Sequence, residues 1–215
     1  YLTKAHNFRV KGFTPQVRAI MRDHLEDLIT PSAGSGWISM PTAVGAANLT
    51  EIAYNSSSVL QDLLNGQSYL WTYGSGGGLI ENDNGVLVFN YTDKVMTTTG
   101  LANSAWGGVF NMSFGSYTGD WNTRNNVVRA VLGSGDALTS VYAGSPNWWF
   151  HPMSMGLSTG HCTRLTMNNV SLYIPQSGFE LNPAPRSALA LLGDPALRML
   201  NVAMPSNLSV TNNGP

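Results

Sequence analysis

The chain predicts an α/β fold, a mostly parallel sheet flanked by helices, on three observations. Short apolar and aromatic runs alternate with helical patterns along the sequence. The best of these runs stop abruptly at glycine-rich loops, the profile of buried strands that end at one edge of a sheet. Hydrophobic residues make up 43% of the 215 positions and charged residues only 11%, enough apolar material for one well-buried core.

The elements follow in order. Thr14 to Ile29 reads as a helix, with Thr14 as cap, Pro15 at the first helical position and Val17, Ile20, Met21, Leu25 and Leu28 on one face. Gly34-Ser35-Gly36 breaks the chain, and Leu49 to Asn65 is a second helical stretch ending at Gly66. Ser68 to Tyr73 is an aromatic strand stopped by Gly74-Ser75-Gly76-Gly77-Gly78. Leu79-Ile80 and Val86 to Phe89, separated by Glu81 to Gly85, form a hairpin or a strand pair around a turn, in which Asp83-Asn84-Gly85 lacks the first acidic ligand and closing Glu of a calcium loop. Gly108 to Ser113 and Leu138 to Ala143 are further strands, while Val127 to Leu132 fits helix or strand. Met153 to Met167 is a helix, and Leu189 to Leu192 a short apolar segment before Gly193-Asp194-Pro195. Residues 1–203 make one α/β domain, and 204–215 change character to a linker or the first strand of a following domain.

Charge and cysteine content narrow the function classes. A net charge of −1 and a pI near 6.4 exclude a general electrostatic grip on nucleic acid or anionic lipid. No apolar run reaches the roughly 18 residues of a membrane helix. The single Cys162 excludes an internal disulfide and a multi-cysteine metal site; no metal and no cofactor is expected. The polar quota is met by Asn, Ser, Thr and Gly, which suits an extracellular or surface-attached protein. Six Asn-x-Ser/Thr sequons, at Asn48, Asn55, Asn90, Asn111, Asn169 and Asn207, are about what such a composition produces by chance. Tyr1 opens in mid-element without a leader, so the chain reads as an excerpt of something longer.

Ligands on parallel sheets collect where loops leave the carboxyl ends of strands. Two such loops carry hydroxyls: Tyr73-Gly74-Ser75 and Ser113-Phe114-Gly115-Ser116. A serine nucleophile needs a base beside it. Of the histidines, His6 lies near the start and His24 within the first predicted helix, which leaves His151, with Asp120 as an orienting carboxylate. Turn residues and a packed loop histidine are the plainer reading of the same set. His161-Cys162 is no dyad, because neighbours on a helix point about 100° apart. No Gly-x-Ser-x-Gly elbow and no P-loop occurs. The same edge carries Trp71, Tyr73, Trp106, Tyr117, Trp121, Trp148 and Trp149, suited to stacking on a peptide or glycan or, more simply, to core packing.

Four stretches, SYLWTYGSGGG, GVFNMSFGSYTGDW, ALTSVYAGSPNWWFHPM and LALLGDPALRM, resemble in order and pattern the caspase-like fold of gingipain-type secreted cysteine peptidases. The resemblance spans Ser68 to Met199, and Leu191 to Pro195 is its most specific piece. In that family one strand ends in a Gly-His-Gly-type turn bearing the catalytic histidine and the next ends in the catalytic cysteine. The resemblance places Tyr73 at the first position and Ser113 at the second. Tyrosine titrates near 10 and serine without imidazole does not replace a thiolate. Further strands precede this region in the related fold, so the resemblance leaves room for an N-terminal piece that is missing or separately supplied. The tail from Pro205 to Thr211 resembles the opening strand of a fibronectin type III domain. The resemblance thus implies a non-catalytic peptidase-like module of a large secreted or cell-surface bacterial protein. Such a module would bind a protein, peptide or glycan or take part in extracellular assembly. A hydrolase rebuilt on Ser75 or Ser113 and a structural subunit of an extracellular polymer are the alternatives.

Overall fold

Strands buried on both faces need apolar residues at nearly every position, and the centre of this molecule is built from such runs. The computed structural model describes residues 1–25, 33–83, 86–120, 122–143, 147–168 and 190–199, with only the backbone of 81–83 and 86–91. A six-stranded sheet runs in the order β2 (Leu49–Ile52), β1 (Ala19–Asp23), β3 (Tyr69–Ser75), β7 (Gly108–Phe114), β8 (Thr139–Tyr142), β9 (Leu191–Gly193). The first five strands are parallel and β9 runs antiparallel to β8. A second sheet, β4 (Gly78–Asp83), β5 (Val86–Thr92) and β6 (Met96–Thr97), is antiparallel. The mostly parallel α/β architecture expected from the sequence is therefore present.

Helices cover both faces. On one face α1 (Leu2–Arg9), α2 (Gly34–Val44), a 3-10 helix at His151–Met155 and α6 (Thr159–Asn168) enclose Met21, Trp71, Tyr73, Phe110, Met112 and Val141. On the other, α3 (Leu60–Leu64), α4 (Thr98–Ala102) and α5 (Val127–Gly133) pack over Ile20, with Val95 and Trp106 in the same cluster. The small sheet approaches the carboxyl ends of β3 and β7 so closely that glycine is obligatory there. A Cβ on Gly76 would collide with the carbonyl oxygen of Asp93, and one on Gly78 with the backbone of Ser116.

Three expectations are corrected. Thr14 to Ile29 is not a helix: Ala19–Asp23 is β1, buried at all five positions, while residues 26–32 lie outside the described set. Apolar residues at 17, 20 and 21 satisfy a helical period, but pairing with strands on both sides wins over that local pattern. Leu49 to Asn65 divides into strand β2, a loop and the short α3, because Leu49 to Ile52 pair in register with Ala19 to Arg22. Met153 to Met167 is interrupted at Gly156, whose φ of 86° closes the 3-10 helix before α6 begins. Val127 to Leu132, open between helix and strand, is helical; Asn126 caps it by accepting from the Arg129 amide at 3.0 Å. Residues 204–215 lie outside the described set.

Candidate functional site

The carboxyl edge of the parallel strands gathers three polar ends: Arg22-Asp23-His24 from β1, Tyr73-Gly74-Ser75 from β3 and Ser113-Phe114 from β7. The register decides which side chains meet. Asp23 pairs with Ser75, Ser75 with Phe114, Gly74 with Ser113, and Tyr73 with Met112. Directly paired residues share a face and successive residues alternate. Tyr73 and Ser113 thus sit at the same edge of adjacent strands but on opposite faces of the sheet. Ser75 shares the face of Tyr73.

Each hydroxyl has a distinct fate. Ser75 is fully buried, and its Oγ donates to Asp23 Oδ1 at 2.5 Å. The same Oδ1 accepts from the Leu25 amide at 3.0 Å, and the Ser75 carbonyl accepts from the His24 amide at 2.9 Å. Tyr73 is buried below α2; its hydroxyl donates to the Ala143 carbonyl at 3.3 Å. Burial, reinforced by the nearby Asp23 charge, pushes its phenol well above the ordinary value of 10.0, so it is no base. Ser113 is 4% exposed and its Oγ has no hydrogen-bond partner among the described residues. It pairs with Tyr142 on β8, not with an imidazole.

Asp120 lies on the Ser113 side of the edge, near that serine's β8 partner, and His151 lies in a separate 3-10 helix. Asp120 stands near Tyr142: burial first, and then this carboxylate, raise the Tyr142 phenol. His151 begins the 3-10 helix, its ring edge-on to Trp149 at 6.1 Å, and burial lowers its pKa. Neither serine hydroxyl donates to it: one goes to Asp23 and the other is unpartnered among the described residues.

The aromatic set is core. Trp71, Tyr73, Trp106, Trp148 and Trp149 are all at most 5% exposed. Trp71 packs on Phe110 and Phe150, and Trp148 stacks on Phe150 at 5.2 Å and 7°. Serines on α2 receive this loop: Ser35 Oγ accepts from the Trp148 amide and Ser39 Oγ from the Phe150 amide. Of the expected binding aromatics, Tyr117 is 54% exposed, on a turn where its φ is 63°. Trp121 lies outside the described residues.

Sequence reasoning missed Arg22, Asp23 and His24, which the helix reading placed away from the edge. Arg22 is fully buried and donates to the carbonyls of Ala53 at 2.6 Å, Tyr54 at 3.4 Å and Ser56 at 2.8 Å. Its Nη2 also lies 3.3 Å from His24 Nδ1, while His24 Nε2 faces Asp93 at 3.5 Å. The signal was present as three polar residues directly after the apolar Ala19-Ile20-Met21, the pattern of a buried strand reaching its end.

None of the family models, curated proteins or solved structures compared with this chain matches it.

Proposed function

We propose that this chain is a non-catalytic, peptidase-like module of a large secreted or cell-surface bacterial protein, and that it serves binding. The caspase-like relationship is supported by two adjacent parallel strands, β3 and β7, that end side by side at Ser75 and Phe114. It is supported also by the Leu191–Gly193 strand of the closing motif, which returns antiparallel beside β8. The extracellular setting is supported by the sparse charge, 11% of residues, on a chain otherwise polar through uncharged side chains.

One observation carries the non-catalytic reading. The buried Ser75 hydroxyl is engaged by a carboxylate, and the Ser113 hydroxyl, on the other face, has no hydrogen-bond partner among the described residues. A serine in either situation lacks the adjacent imidazole that acyl transfer requires. Treatment with broad fluorophosphonate and epoxide probes, followed by peptide mass mapping, is expected to leave the protein unmodified. A stoichiometric adduct on Ser75 or Ser113 that disappears in His151→Ala overturns the reading in favour of a hydrolase.

A further inference from the structure

Beside the carboxyl ends of β1 and β2 lies an open cleft of about 510 Å³, lined by Glu51, Ala53, Tyr54 and Asn55. None of these residues belongs to the strand ends considered for catalysis. The reversal of strand order, where open α/β sheets commonly hold ligands, falls between β1 and β3. The cleft lies one strand further out, at edge strand β2 and the loop that follows it.

The cleft wall is held from behind. Arg22, fully buried, fixes the carbonyls of Ala53, Tyr54 and Ser56, so the loop that follows β2 is pinned at three points. A guanidinium only donates, so His24 Nδ1 accepts from Arg22 and its Nε2–H turns toward Asp93. The His24 ring in turn lies against Tyr54, centroids 5.5 Å apart at 33°. A buried arginine is costly unless its donors are met. Here it fixes the backbone and, through His24, the ring of a cleft-lining tyrosine.

We propose that this cleft binds a neutral saccharide, with one sugar ring against Tyr54 and its hydroxyls on the Glu51 carboxylate and the Asn55 amide. A sugar ring has an apolar C–H face that suits an aromatic ring and an edge of hydroxyls that suits acceptors and amides. The carboxylate accepts only, and the amide both donates and accepts, which together match vicinal hydroxyls. Acidic sugars meet repulsion from Glu51. A free cation is the poorer match, because Arg22 places a fixed positive charge behind the same wall. The proposal rests on the reading of the chain as a binding module and names the ligand class of that module.

The test is an NMR titration of the labelled protein with neutral cello-, xylo-, manno- and chito-oligosaccharides, a glucuronic oligosaccharide and an arginine-containing peptide. The expected result is saturable binding of at least one neutral oligosaccharide, with shifts at the amides of 51–55. Tyr54→Ala weakens it about tenfold, the scale of one lost stacking contact. Asn55→Ala, an exposed side chain whose loss leaves the fold intact, also weakens it. The proposal is overturned if no neutral oligosaccharide binds, if neither substitution changes binding, or if only the peptide or the acidic sugar binds. Probe labelling of the same sample separates the two readings. An inert protein that binds no saccharide loses the cleft proposal alone, and a labelled protein that binds one loses only the non-catalytic reading.

Discussion

Asn111 stands in the middle of β7, 4% exposed, with both ends of its amide engaged. Its Oδ1 accepts from Thr72 Oγ1 at 2.6 Å and Trp106 Nε1 at 2.7 Å. Its Nδ2 donates to the carbonyls of Gly108, Val109 and Thr139. One side chain therefore ties β3, β7, β8 and the turn at Trp106 together. Replacing it with an apolar residue leaves several buried partners without water or protein to bond, so Asn111→Leu is expected to cost about 3 kcal/mol or more. Urea denaturation at constant m-value measures this, and a loss under about 1 kcal/mol contradicts the account. Ser113, two residues on, is the opposite case: its hydroxyl is buried and unpartnered among the described residues. A polar position that the sequence marks as a strand-end hydroxyl gives no hint of which face it joins or whether it finds a partner. That depends on the register with β3 and β8.

The junction between the small sheet and the strand ends is the element that most constrains this edge. Gly76 and Gly77 are neighbours with different surroundings: a Cβ at 76 meets Asp93 backbone, whereas one at 77 meets nothing within 4 Å. Gly76→Ala is expected to lower stability by about 2 kcal/mol, the scale of an overpacked contact with backbone, and Gly77→Ala to be nearly neutral. Thermal melts of the two variants side by side check the contrast, and equal melting temperatures refute it. The same elements show how much was legible beforehand. Strands β3, β7 and β8 were readable because aromatic or β-branched runs close at glycine or at a loop. The edge strand β2 and β1 were not, because no glycine closes either run and their apolar residues continue into flanking stretches that also fit a period of 3.6. Once β1 was misread, Arg22, Asp23 and His24 left the candidate site. Their partners at Ala53, Tyr54, Ser56, Ser75 and Asp93 come from distant stretches of chain that only the fold brings near.

At the scale of the whole molecule, stability ought to fall at alkaline pH through Cys162. The thiol, on α6 beside Met153, is fully buried in the core, and burial pushes it from 9.0 up to about 12. A folded value above the unfolded one means the folded chain holds the proton longer. Stability from this group is complete below about pH 9 and is lost as pH rises toward 12. Native protein at pH 8 is expected to resist a maleimide or disulfide reagent and to react fully once denatured; fast labelling of the native state contradicts this burial. The two central strands also bear on how the chain can be produced. Asn111, Met112 and Ser113 together form an Asn-x-Ser sequon, yet the asparagine is interior to a strand with neighbours on both sides. An oligosaccharyltransferase reaching Asn111 before β3 and β8 close around it would attach a glycan that the finished sheet cannot house. In a eukaryotic secretory pathway, maturation of this chain becomes a race between the enzyme and the closing of its own sheet.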